Sequence, residues 1–197
     1  MAGGAGLVAC GVLGVLTYSM LGTPSTQVIS LVGDAIFATA VLLFAIGLSP
    51  GASVVARRPL GVTAMVIVAA WPLVAFVISS LLALNEPGDV SMIYGYVALI
   101  VPAGAGLVAA VQIARAAVLP SPWRWAPAWA LAVQAAAWAI PNVIIVAAGP
   151  EAIQGLANVL ATLGMLAFLV GTFGLGILAL ILAAQQRPDG VEIYRSA

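Results

Sequence analysis

The sequence contains no lysine and no histidine, and it has a single cysteine, Cys10. These absences exclude a Schiff-base or P-loop lysine, imidazole ligation of a metal or haem, and histidine-based acid–base catalysis. A single cysteine also cannot form an internal disulfide. Because no cluster of carboxylates replaces the missing ligands, we expect that the chain is not an enzyme and that it carries no metal and no cofactor.

Charge is scarce as well, since only 6% of the 197 residues are charged and the formal net charge is zero. A soluble domain is about a quarter charged. Nucleic-acid binding needs a basic face, which this composition does not provide, so no nucleic-acid partner is expected. The hydrophobic content of 64% indicates instead an integral membrane protein whose main partner is the lipid bilayer.

What the sequence does contain is a series of long apolar stretches separated by charges or turn residues. A bilayer core about 30 Å thick is crossed by roughly 20 residues of helix. Runs such as residues 40–46 do not alternate in polarity, as the strands of a membrane barrel do. The sequence therefore predicts an all-α, polytopic six-helix transmembrane bundle in one domain, residues 1–184, followed by a short tail, 185–197. The helices are predicted at 4–21, 27–48, 60–84, 91–115, 126–148 and 153–184.

The arginines predict the orientation of these helices in the membrane, because they fall on alternate connections and in the tail. They are Arg57, Arg58, Arg115, Arg124, Arg187 and Arg195, whereas Glu86, Asp89 and Glu151 lie in the connections without arginine. Under the positive-inside rule, both termini are cytoplasmic. The preference for arginine over lysine, together with abundant alanine, points to a multi-pass protein of the bacterial inner (plasma) membrane.

Two interpretations exist for Cys10 in the first helix. The preceding residues, Leu7-Val8-Ala9, resemble a lipoprotein lipobox, but the basic n-region of a signal peptide is missing. Alternatively, Gly6, Cys10 and Gly14 are spaced i, i+4, i+8 and form a stripe of small residues that lets one helix pack closely on another. We favour the second interpretation.

Asp34 is the ionisable residue that most needs an explanation, since it falls inside the second predicted helix. It lies about seven residues, roughly 10 Å, from the outer end of that helix. A carboxylate in such a place costs on the order of 2.5–3.5 kcal/mol unless it faces the bundle interior or water. Gln27, Ser30 and Asp34 are spaced i, i+3, i+7 and predict one polar stripe running inward.

Other helices have polar residues at a similar depth. These are Ser79 and Ser80 on the third helix, Asn142 on the fifth and Asn158 on the sixth. Gln134 and Thr162 extend polar stripes at i, i+4 spacing from Asn142 and Asn158. If their faces converge, these residues and the Asp34 stripe form a ligand- or ion-binding pocket that opens to the outside. In the alternative interpretation, they are hydrogen-bond links between helices, worth about 0.6 kcal/mol each, and a protonated Asp34 donates to Asn142 or Asn158.

Two function classes follow from these features. The first is a small transporter or ligand-binding membrane protein for a small solute or a lipophilic ligand, with an outward-facing pocket around Asp34. Pro72, Pro102 and Pro141, which fall inside predicted helices, favour it because proline kinks can open a cavity. The second is a non-catalytic subunit or scaffold that packs against a membrane partner subunit, or against copies of itself, through faces of small residues. Few polar residues occupy the inner half of the helices, which argues mildly against a continuous channel.

Overall fold

A computed structural model describes residues 2–19, 25–47, 53, 55, 58–83, 89–116, 118, 120 and 123–185. This part of the chain is all-helical and contains no strand. The helices are α1 (Ala2–Ser19), α2 (Ser25–Ile46), α3 (Pro59–Ala83), α4 (Asp89–Ala116), α5 (Ala126–Ala148), α6 (Pro150–Leu169) and α7 (Leu175–Gln185). A π-helical turn, Val170–Gly174, joins α6 to α7.

Among the described residues, six helices are long and apolar enough to cross a membrane, and the last of them runs through the π turn from Ile153 to Gln185. The all-α prediction and the six predicted helices are therefore confirmed, close to their expected bounds. The π turn was not expected, because the sequence predicted one uninterrupted helix there. Arg57, Glu86, Arg187, Arg195, the tail beyond Gln185 and the side chain of Asp89 lie outside the described residues.

Two glycines end helices in a conformation that other residues rarely adopt. Gly47 has a φ of 71° and follows α2, where its N–H donates to the carbonyl of Leu43 at 2.9 Å. Gly149 has a φ of 81° and is the single residue between α5 and α6, with its N–H on the carbonyl of Ile145 at 3.0 Å. A left-handed glycine is a common helix end because it has no Cβ to clash.

Each helix packs against its neighbours in the chain as an antiparallel hairpin, and the last span returns to pack against α1. Within the described residues, helices that are not neighbours in this closed order have no Cα atoms within 8 Å of each other. The up-and-down arrangement places Arg58, Arg115 and Arg124 at the same end of the bundle, here called the arginine end. Glu151, in the first turn of α6, lies at the opposite end.

An apolar cluster joins α2, α3 and α4 toward the arginine end. Its buried members are Ala38, Val41, Ala45, Val55, Ala64, Met65, Ala69, Ala109 and Ile113. The buried Ser53 hydroxyl donates to the carbonyl of Ala45 at 2.6 Å, so the polar group in the adjoining connection is satisfied. The small side chains of the cluster let the three helix backbones approach closely.

Glycines set the position of α1 between α2 and the last span. A Cβ added at Gly6 would lie 2.9 Å from the Cβ of Ala40, and one added at Gly4 would lie 2.9 Å from the carbonyl oxygen of Gly176. Gly14 faces Phe168 in the same way, and Cys10 is a free, buried thiol between them. The predicted stripe of small residues thus contacts two neighbouring helices rather than one.

Candidate functional site

A cavity of about 400 Å³ lies between α1, α2 and α6, from the middle of the bundle toward the end opposite the arginines. Its lining consists of Cys10, Leu13, Gly14, Thr17, Tyr18, Ile29, Ser30, Gly33, Asp34, Ala161, Gly164, Met165 and Phe168. Ligand pockets in proteins have volumes of about 300–1,000 Å³ and combine apolar walls with a few polar groups. The volume of this cavity lies within that range.

Helix α2 supplies Asp34 and Ser30, which lie one turn apart and are both half-buried. The helix begins at Ser25, so Asp34 is about 14 Å along it at 1.5 Å per residue, deeper than the sequence suggested. The face of α2 that is most exposed carries Val28 and Val32 and points away from the cavity. The side of α2 that carries Ser30 and Asp34 is therefore directed into the bundle and not toward the surroundings.

Helix α1 supplies the hydroxyl groups of Thr17 and Tyr18 on the other side. The Thr17 Oγ1 donates its proton to the carbonyl of Leu13 at 2.8 Å, which leaves its oxygen able to accept a hydrogen bond. Tyr18 is 49% exposed at the rim of the cavity. The opposite face of α1, with Val12 and Leu16, is exposed, so the cavity lies on the inner side of this helix too.

Among the described residues of the lining, Asp34 is the only acidic or basic side chain. Within the part of the chain that the structure describes, its carboxyl group has no hydrogen-bond donor and no arginine partner. Its neighbours in the lining are hydroxyl groups, a thiol and apolar surface. Such a site can accept a cation, or a neutral group that donates hydrogen bonds, without first breaking an internal contact.

The structure brings Ser30 and Asp34 together and leaves the other seven candidate residues outside the lining. Gln27, Ser79, Ser80, Gln134, Asn142, Asn158 and Thr162 are all exposed. Several use their side chains within their own helix: Ser79 and Ser80 donate to the carbonyl of Phe76, Asn142 to that of Trp138, and Thr162 to that of Asn158. Among the described residues, the polar side chains of the four helices do not converge in one pocket. Asp34 forms no hydrogen bond to Asn142 or Asn158 there.

Sequence reasoning missed the α1 side of the cavity. Thr17 continues the stripe of Gly6, Cys10 and Gly14 at i+3 from Gly14, and this continuation from small residues to a hydroxyl was the available signal. The α6 side, with Met165 and Phe168, had no such signal because it is apolar and resembles any lipid-facing surface.

The described residues hold no group of three or more cysteine or acidic side chains suited to a metal ion. The comparisons with known proteins add no assignment: no family model, no curated protein and no solved structure matches this chain.

Proposed function

We propose that this chain is a multi-pass protein of the bacterial plasma membrane that binds a small ligand in the cavity around Asp34. The membrane setting is supported by six apolar helices that carry large exposed hydrophobic side chains on their outer faces, such as Val28, Ile100 and Val143. In water, exposed apolar surface of this extent would cause aggregation, whereas acyl chains would cover it.

The orientation we propose has the arginine end in the cytoplasm. Arg58, Arg115 and Arg124 lie together at that end, as the positive-inside rule requires for a cytoplasmic side. Trp123, Trp125 and Trp129 are exposed at the same end, where they suit the belt of aromatic residues found at membrane interfaces. With this orientation, the cavity opens toward the outside.

The observation that carries the ligand-binding proposal is an unpaired carboxyl group in a cavity large enough for a small molecule. A carboxyl without a partner is costly inside a membrane protein unless water or a ligand contacts it. The lining is otherwise apolar apart from Ser30, Thr17, Tyr18 and the thiol of Cys10. The ligand class it favours is a small organic cation or amine with an apolar body, since Tyr18 and Phe168 add aromatic surface.

Binding from the outside is better supported than passage through the bundle. Toward the arginine end, α1 packs against α2 through Gly6 and Ala40 and against α7 through Gly4 and Gly176, without space between the backbones. A transport cycle would have to separate these contacts. We therefore propose a ligand-binding protein as the basic activity, with transport as an extension that requires α1 to move.

A non-catalytic subunit is the second candidate, and one observation favours it. Gly171 on the last span has no neighbouring atom within 4 Å of an added Cβ and does not line the cavity, so a helix of another protein has room to approach there. A subunit of this kind would not need Asp34 for any ligand.

The test is a thermal-shift assay on the purified protein in detergent with tetramethylammonium, benzyltrimethylammonium and tetraphenylphosphonium. At least one of these cations is expected to raise the melting temperature of the wild type. Asp34→Asn is expected to weaken that cation's binding about 10- to 100-fold, because it removes the negative charge that attracts a quaternary cation without a hydrogen bond; this loss corresponds to about 1.4–2.8 kcal/mol.

Glu151→Gln is the matched control, since it removes an exposed carboxylate at the start of α6 and should leave the shift unchanged. The proposal fails if none of the three cations stabilises the wild type, or if Asp34→Asn responds to them as the wild type does.

A further inference from the structure

A second groove, separate from the Asp34 cavity, lies on the outer side of the α3–α4 hairpin. It has a volume of about 310 Å³ and is lined by Leu60, Thr63, Ala64, Ile67, Val101, Gly104, Ala105 and Val108. Leu60, Ile67 and Val108 are exposed, so the groove opens to the surroundings of the bundle and not to its interior. Gly104 gives the groove its depth, because nothing lies within 4 Å of a Cβ added there.

The antiparallel pairing of α3 and α4 determines which residues lie beyond the end of this groove. A Cβ added at Gly61 would lie 3.2 Å from the Cβ of Gln112, so these two residues face each other across the antiparallel hairpin. Arg58 is three residues before Gly61 and Arg115 is three residues after Gln112, which places both at the same level. Arg115 follows Val108 by two helical turns, so it lies on the same face of α4, about 10 Å beyond the groove.

Both arginines are exposed, and neither forms an ion pair with a described residue. The carboxylates that the structure describes lie elsewhere, with Asp34 in the first cavity and Glu151 at the opposite end. Leu60 in the groove lining is two residues from Arg58, so the apolar groove runs toward the end of the hairpin that carries both arginines.

We propose that this surface is a binding site for an anionic phospholipid, with an acyl chain in the α3–α4 groove and the phosphate on Arg58 and Arg115. Guanidinium groups bind phosphate oxygens in a bidentate manner, and basic sites beside transmembrane helices on the cytoplasmic side hold anionic headgroups. Charge complementarity identifies the occupant, because an apolar groove leading to two unpaired arginines matches a molecule with an acyl chain and an anionic head. The proposal requires that the helices cross a bilayer, but it does not depend on Asp34.

The experiment is native mass spectrometry of the full chain with dioleoyl phosphatidylglycerol or dioleoyl phosphatidylcholine, which have the same acyl chains. The wild type is expected to retain phosphatidylglycerol at least fivefold better than phosphatidylcholine. Arg58→Gln with Arg115→Gln should remove this preference, whereas Arg187→Gln with Arg195→Gln, which changes the net charge equally, should keep it.

A second pair of variants tests the groove itself. Gly104→Leu fills it and is expected to lower retention of both lipids, whereas Gly155→Leu adds the same side chain on an exposed part of α6 and should have no effect. The proposal is overturned if the wild type holds both lipids equally, if the tail variant loses the preference to the same extent, or if Gly104→Leu keeps wild-type retention. Loss of a dimer in Gly104→Leu with lipid retention unchanged would assign the groove to a second copy of the chain.

Discussion

At the scale of single residues, glycine determines where the helices touch. Among the described glycines, Gly4 and Gly176 come closest to each other's backbone, since a Cβ on either one would lie within 3.0 Å of the carbonyl oxygen of the other. A carbonyl oxygen in a helix cannot rotate away as a side chain can. The contact between α1 and α7 therefore tolerates no larger residue at these positions without movement of a backbone.

Gly4→Ala and Gly176→Ala are each expected to destabilise the protein by about 1–3 kcal/mol, the usual cost of an overpacked contact. Gly155→Ala is the control. That glycine is exposed in α6 with open space around it, so alanine should be neutral or should stabilise the helix by up to about 1 kcal/mol. The measurement is the midpoint of unfolding by sodium dodecyl sulfate from detergent micelles. Equal midpoints for all three variants would show that α1 and α7 are not in close contact.

Prediction of the cavity lining from the sequence also depended on single residues. Sequence reasoning identified Asp34 and Ser30, because a carboxylate inside an apolar helix is costly and a polar neighbour one turn away lies on the same face. It did not identify Cys10, Gly14 or Gly164, since small and apolar residues in membrane helices carry no mark that separates a cavity wall from a lipid-facing surface.

At the scale of helices, the sequence was most informative about existence and length. Long apolar runs between turn residues predict helices. The reason is that the backbone N–H and C=O groups of a segment inside a bilayer must form hydrogen bonds within that segment. The bounds of α2 illustrate the agreement, with 27–48 expected and Ser25–Ile46 observed. The π turn could not be predicted, because its residues, Val170–Gly174, have the same apolar composition as the helices on either side of it.

The candidate polar residues on the other helices show why correct helix positions did not predict which residues line the cavity. Depth from the helix end places Asn142 and Asn158 near the level of Asp34, but depth says nothing about direction around the helix axis. That direction follows from the closed order of the bundle, in which α5 contacts α4 and the last span and does not reach α2 among the described residues. The side-chain amide of Asn142 instead donates a hydrogen bond to the carbonyl of Trp138 in its own helix.

The α6 wall of the cavity gives a prediction at this scale. Gly164 lines the cavity and has no atom within 4 Å of an added Cβ, so Gly164→Leu fills the cavity without a clash. We expect this variant to be at least as stable as the wild type, since leucine favours helix more than glycine does, but to lose the cation-induced thermal shift.

Gly155→Leu, two and a half turns earlier on the same helix, is the matched variant and should keep the shift. If Gly164→Leu responds to the cation as the wild type does, then the ligand binds somewhere other than this cavity.

At the scale of the whole molecule, the formal net charge is zero, but positive and negative side chains lie at opposite ends of the bundle. Arg58, Arg115 and Arg124 gather at one end, and Glu151 lies at the other. The cavity lies nearer the end with Glu151, and glycine contacts and the apolar cluster close the bundle toward the arginine end. The proposed direction of ligand entry rests on this asymmetry.

We propose that the cavity around Asp34 is open to the outside, and labelling of single cysteines in intact bacterial cells tests this claim. In a Cys10→Ala background, cysteines are placed separately at Ser30 in the cavity, at Glu151 as the marker of the outer side and at Arg58 as the marker of the inner side. A membrane-impermeant maleimide is expected to label the Ser30 and Glu151 variants in intact cells and the Arg58 variant only after permeabilisation. Labelling of the Ser30 variant only together with the Arg58 variant, or no labelling of it even in permeabilised cells, would contradict the claim.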